Sequence, residues 1–514
     1  MENIKELVYI VNRNKVKRID MLDLTDESPS KVNALYQAIS TGKVDSDEEA
    51  SALLFPKAKS YSAYRNLKMV LKEKLLNTLF FIDAYQNGHS DRQSAFYEVY
   101  KDFAAAQMLI AKNARKVGVH LLEKILKKSK EFEFTDLSLM VVRLLRLHYG
   151  TRLGDQKRYV ELNELSITYS EIASFENEAE QCYTDLVIHY INKLSTKEEL
   201  QLLARRYYEV LAPRLPTVQV YKYHFYTGLV RLFEHTCMNN YVATIPICEE
   251  LINFFEQKSF MANTPIQICL HHQLVAYMQL RNYELGNKVA RRSQGLIEEG
   301  SFNWFKNLEY LFLLAMHTGN YQDAYQVFSE GIGHKRFKFL PKHIQEVWQL
   351  YQAYLHLLID QGEVLPLEGD KNFTKFRINR FLNNMPLYSK DKRGMNIAIL
   401  IVQILFYIQQ RKYDTAIDGM EAIEKYCSRY LFKADTMRSY YFIKMLLAIP
   451  KASFHQKAAI RHAAVSVKKM KNIPTDVSYQ FHKIEIIPYE ALWGMALGML
   501  GTQIVRIVKK TVRS

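Results

Sequence analysis

The chain has 514 residues, of which 48% are apolar and 24% charged; that is enough apolar material for a large core and too much for a disordered chain. Glycine (19) and proline (12) fall well below their usual shares of about 7% and 5%, which points to helices joined by short connections. A formal charge of +15 suits an acidic partner, whether nucleic acid, an acidic protein surface or anionic lipid, or simply marks a basic protein, since the charge is spread along the chain; five cysteines without a C-x-x-C pair argue against a disulfide framework or zinc site and for a reducing compartment.

The N-terminal stretch MENIKELVYIVNRNK carries early acids and no unbroken apolar run, so no secretory signal is expected and a cytoplasmic location follows. Residues 1–85 form a candidate helical head. Ser28 to Ser40 reads as a supporting helix. Ser46-Asp-Glu-Glu49 is a capping box for a short helix that stops at Pro56. Lys57 and Lys59 lie in the next turn, and Ser60 or Ser62 is the expected cap of a longer helix. On that helix Tyr64, Leu67, Leu71 and Leu75 make an apolar face, with Val70 and Thr78 beside it. Arg65, Lys68 and Lys72 gather on the opposite side. Three helices with a basic presented face have the layout of a helix-turn-helix reader, in which Lys57, Lys59, Arg65, Lys68 and Lys72 would neutralise phosphates. The competing reading is a capping hairpin or a protein contact, because lysines at helical spacing also serve solubility alone.

Residues 86–430 carry helical periodicity almost throughout, for example Leu137 to Gly150, Tyr241 to Gln257 and Glu346 to Asp360. A polar or glycine turn followed by an aromatic recurs at Tyr159, Tyr241, Tyr283, Tyr321 and Tyr413, with a loose period near forty. The sharpest copy is Leu308 to Ile332. There Gly319 supplies the turn, Tyr321 starts the second helix, Ala324 lets the helices approach and Phe328 fills the groove. Tyr413 and Ala416 repeat the pattern, with Met420 in the aromatic place. Gly286 and Ala290 depart further from it. This G-x-Y-x-x-A-x-x-x-F core resembles the tetratricopeptide repeat, although the period is looser and the early Trp and closing Pro are mostly missing. The resemblance implies an all-α fold of stacked antiparallel helical hairpins forming a solenoid that binds peptides or proteins, and it implies no catalytic residue. Gln361 to Phe373 is the expected loop or break in the body.

Residues 431–514 form a candidate basic cap. From Lys451 to Ser514 there are eleven Lys or Arg against three acids, which could grip phosphates or a membrane surface or simply solvate a terminal helix. Tyr479 to Ile487 is the best strand candidate. The apolar runs Asn396 to Ile408 and Ala491 to Val505 are shorter than a membrane span and read as buried helices.

No phosphate-binding loop, dinucleotide fingerprint, nucleophile elbow or H-E-x-x-H motif occurs. His271-His272 are neighbours pointing about 100° apart in a helix, not an i, i+4 chelating pair. Cys237, Cys248 and Cys269, with His235 and His271, match no familiar zinc spacing and read as buried thiols. Neither a cofactor nor an enzymatic activity is expected. Two functions remain open: a scaffold or adaptor for an acidic protein or peptide, and a nucleic-acid-associated regulator with the head as reader and the repeats as sensor.

Overall fold

The computed structural model describes residues 1–13, 30–56, 61–81, 91–370, 373, 395–430, 437–473 and 485–501. Among these residues the fold is all-α, and the only β-type pairing is an isolated bridge between His455 and Gly501. The chain separates into two units. The first comprises Met1–Glu180, Leu215–Tyr223 and Phe255–Ala262, and the second comprises Gln181–Arg214, His224–Phe254 and Asn263–Ser514. No described helix is long and apolar enough to cross a membrane.

The first unit opens with the head. Lys31–Ser40, Asp47–Leu54 and Ser62–Thr78 are the three expected helices, and Glu2–Arg13 packs on the first and third of them as a fourth. Their shared core includes Ile4, Val8, Leu35, Tyr64, Leu71 and Leu75. Ser46 Oγ accepts from the Glu49 N–H at 3.1 Å as the capping box requires, but Glu49 reaches back to the Asp45 N–H (2.7 Å). The long helix starts without a side-chain cap: its boundary residue is Tyr61, Ser62 is already helical, and Ser60 lies outside the described residues. Beyond the head, Asp91–Ala111, Arg115–Glu131 and Thr135–His148 pack in succession. Glu133 joins the outlying segments to this stack by accepting from the Tyr221 N–H (2.6 Å) and from Lys258 Nζ (2.8 Å). Arg92 adds a second tie, donating to the Phe132 carbonyl at 3.0 Å while its guanidinium lies 3.9 Å over the Tyr221 ring.

In the second unit one turn recurs. Asn239, Arg281, Gly319, Gly362, Arg411 and Ser453 all have positive φ and stand roughly forty residues apart. In every case the next N–H bonds five residues back: Asn240 to His235, Asn282 to Tyr277, Asn320 to Ala315, Glu363 to Leu358, Lys412 to Tyr407 and Phe454 to Ile449. This 6→1 bond is the Schellman closure, and it turns each chain reversal into a compact antiparallel hairpin. Tyr241, Tyr283, Tyr321 and Tyr413 open the helices that follow four of these turns. Between Tyr321 and Tyr413 stands a further helix, Lys342–Asp360, with its own turn at Gly362; that turn falls inside the expected loop Gln361 to Phe373, whose residues 361–370 are non-helical.

The sharpest copy folds as read. Phe302–Thr318 ends at Gly319, Tyr321–Gly333 follows, and Ala324 and Phe328 are buried; Ala416 and Met420 are buried in the same way on Tyr413–Tyr430. Small residues mark the closest helix approaches. A Cβ at Gly286 would come within 2.5 Å of Leu314, and one at Gly331 within 2.4 Å of the Trp348 ring. First helices of the hairpins are buried nearly all round, as in Leu308 to His317 and the apolar run Asn396 to Ile399. Two buried tyrosines bond within the core: Tyr351 donates to Glu309 at 3.0 Å and Tyr354 to the Ala398 carbonyl at 2.9 Å.

Near the C-terminus the strand reading is not met over residues 485–487, which are irregular, while residues 479–484 lie outside the described residues. Glu485 is buried and accepts from Arg438 Nε and Nη2 (2.8 and 2.9 Å) and from the Tyr489 N–H, and its carbonyl meets His317 Nε2 at 2.6 Å. These bonds fix the local backbone without a strand partner. The helix that overlaps Ala491 to Val505 is Tyr489–Gly498, and residues 502–514, with the basic tail, lie outside the described residues.

Candidate functional site

Two surfaces of the first unit carry chemistry beyond packing. One is the outer face of Ser62–Thr78. Its inner side is set by Tyr64, Leu71, Leu75 and Thr78, all buried. Lys68 belongs to the edge of that side: its Nζ lies 2.8 Å from Asp47 Oδ1, and Tyr64 Oη donates to the same oxygen at 2.7 Å. Partial burial works against ionisation of Asp47, but the bonds from Lys68 and Tyr64 hold its carboxyl down at about 2. The Lys68 charge is therefore committed inside the head. Lys57 and Lys59 lie outside the described residues. Of the five basic candidates, Arg65 and Lys72 remain exposed, with no carboxylate partner among the described residues.

Between and beyond those two cations the face is apolar. Met69 is 64% exposed, Leu76 42% and Phe80 53%. At 100° per residue Arg65, Met69, Lys72 and Leu76 fall within about 60° of one another. Lys101 Nζ donates to the Phe80 carbonyl (2.7 Å) and fixes the end of the stripe. Sequence reasoning missed Met69 and Leu76 because it took the outer face as basic; their i, i+7 spacing beside Lys72 was the available signal. Val70, placed beside the apolar face, is exposed.

The second surface is a concavity of about 750 Å³ where Thr135–His148 passes through a π-helical turn, Tyr149–Leu153, into Gln156–Ile191. The wider turn lets Gly154 close the reversal at φ +63°, and the next helix begins three residues before Tyr159. Tyr159 packs on Gly150, where a Cβ would stand 2.8 Å from its ring. Arg143, Arg146, Leu147, Asp155 and Tyr159 are in the lining. Arg146 Nη1 donates to Asn163 Oδ1 at 2.9 Å, and Arg143 is exposed; neither has a carboxylate partner among the described residues. Arg158, behind the turn, is different: it holds Glu123 through Nη2 at 2.8 Å and Glu161 at 3.0 Å. Asp155 caps the next helix by accepting from the Arg158 N–H at 3.0 Å.

Cys237, Cys248 and Cys269 are buried, and burial pushes the Cys237 thiol up to about 11. Among the described residues no three His, Cys, Asp or Glu side chains gather in a metal-binding arrangement. Of the expected packing positions, Ala324, Phe328 and Ala416 are buried, Tyr321 and Tyr413 are half-buried at helix starts, and Gly319 is exposed at its turn, all in the second unit. No family model matches the chain, and neither does any curated protein or solved structure.

Proposed function

We propose that the protein is a non-enzymatic helical-repeat adaptor whose head docks an acidic, amphipathic helix of a protein partner. The observation that carries this reading is the outer face of Ser62–Thr78, where Met69, Leu76 and Phe80 are exposed beside the uncommitted cations Arg65 and Lys72. A helix laid along this stripe would bury the three apolar side chains and place carboxylates against Arg65 and Lys72. Glu73, exposed at the other edge, favours a base opposite it and so sets a register. A phosphate backbone would gain from the two cations and lose by covering the apolar stripe, and the third expected cation, Lys68, is neutralised by Asp47.

A three-heptad synthetic helix with leucines along its seam and glutamates beside it is the probe, with a lysine version and duplex DNA as comparisons. Fluorescence anisotropy should show binding of the glutamate helix alone, weakened about tenfold by Leu76→Lys and by Met69→Lys. Equal binding of the glutamate and lysine helices would overturn the reading. So would tighter binding of DNA with a salt slope that Arg65→Ala and Lys72→Ala flatten.

A further inference from the structure

We propose that the concavity at the π turn is a binding site for a small phosphate monoester, taken as its dianion by Arg143 and Arg146. This inference concerns a different surface from the head and does not depend on what the head binds. Four arginines surround the turn; Arg152, within it, is exposed and is not part of the lining, and the partners of the other three divide them. Arg158 is committed to Glu123 and Glu161, whereas Arg143 and Arg146 face the concavity without a carboxylate partner among the described residues. Asp155 is the one acid in the lining, and its Oδ1 is engaged by the Arg158 N–H.

Spacing and shape narrow the ligand. Arg143 and Arg146 stand three apart on one helix, so their Cβ atoms are about 5–6 Å apart and both guanidinium groups can converge on a single group. A carboxylate offers two oxygens and satisfies one arginine fork, while a phosphate monoester offers three oxygens and two charges and can satisfy both. Arg146 is already oriented by its bond to Asn163. The volume, about 750 Å³, far exceeds a bare phosphate and lies in the range of small-molecule sites, so an attached organic group has room. Leu147 and Tyr159, both partly exposed in the lining, provide an apolar wall for that group. An aryl or other compact apolar ester fits this wall better than a sugar.

Phenyl phosphate is the probe, titrated into the full chain by calorimetry, with benzoate and inorganic phosphate as comparisons. Phenyl phosphate should bind near neutral pH at least about tenfold more tightly than either comparison. Its second proton has a pKa of about 6, and no histidine lines the concavity, so affinity should fall about tenfold on going from about pH 7.5 to pH 5. Arg143→Gln should cost at least about tenfold in affinity without altering the far-UV spectrum, since no described residue depends on Arg143 for an ion pair. Arg146→Gln should cost as much. Benzoate binding as tightly as phenyl phosphate would overturn the proposal. It would also fall if binding survived both substitutions, or if none were detected at about 10 mM ligand.

Discussion

Glu176 makes a pH-dependent prediction that the geometry defines closely. It lies on Gln156–Ile191 at 1% exposure, and its Oε1 accepts from Thr135 Oγ1 at 2.8 Å. Burial raises its pKa from the ordinary 4.5 to about 7; the Thr135 bond and the charges of Lys222 and Arg92 pull down, and Asp136 pushes up. A raised acid pKa means that the folded chain holds the proton more tightly than the unfolded chain. The resulting stability is fully present below about pH 4.5 and is lost as pH rises through about 7. At about 1.4 kcal/mol per pH unit, the interval corresponds to about 3 kcal/mol. Glu176→Gln keeps an oxygen for Thr135 and cannot ionise. The variant should match the parent within about 1 kcal/mol near pH 5 and exceed it by about 3 kcal/mol near pH 8.5, as read from urea unfolding by far-UV circular dichroism. Lys222 and Arg92 titrate far above this window, so the difference between the two proteins isolates Glu176. A difference that stays constant across that range would refute the reasoning, because it would mean that the carboxylate is solvated or paired in the native state.

Two glycines of one hairpin separate backbone strain from crowding. Gly319 has φ +78° and no atom within 4 Å of a added Cβ, so Gly319→Ala should cost about 1–2 kcal/mol from conformation alone, with Gly319→Asn costing less. Gly331→Ala should lose about 1–3 kcal/mol by driving a methyl into Trp348, and Trp348→Phe in the same chain should recover part of that loss; chemical denaturation measures both. Arg438→Met should destabilise by about 3–5 kcal/mol, because it leaves Glu485 buried and unpaired, and adding Glu485→Leu should recover part of the loss. A second substitution that deepens the loss would show that Tyr489 and His317 depend on the Glu485 segment more than on its charge.

The hairpins were legible because two independent cues coincide at Gly319 and Tyr321: a residue that tolerates positive φ, then an aromatic that opens the next helix. At Arg281 and Arg411 the first cue is absent, yet the same Schellman bond forms, so a search for glycine would have missed these reversals and the tyrosine cue alone located them. Tyr159 shows the limit of that cue. The π turn before it consumes extra residues, so the helix starts earlier and the aromatic folds back onto Gly150. The head shows another limit. A helical projection correctly put Lys68 near Arg65 and Lys72, but it contains no information about Asp47, 21 residues away, whose carboxylate draws Lys68 inward. Local periodicity assigns a face; only tertiary packing decides which charges on it are already spent. The same reasoning separates Arg143 and Arg146 from Arg158: Glu161 beside Arg158 is visible in the sequence as an i, i+3 neighbour, but Glu123, 35 residues away, is brought to it only by packing. Functional surfaces in such a protein are therefore best sought by subtracting committed charges from the helical pattern and then asking which of the rest line a concavity or flank exposed apolar side chains, which singles out Arg65 and Lys72 on the head and Arg143 and Arg146 at the turn.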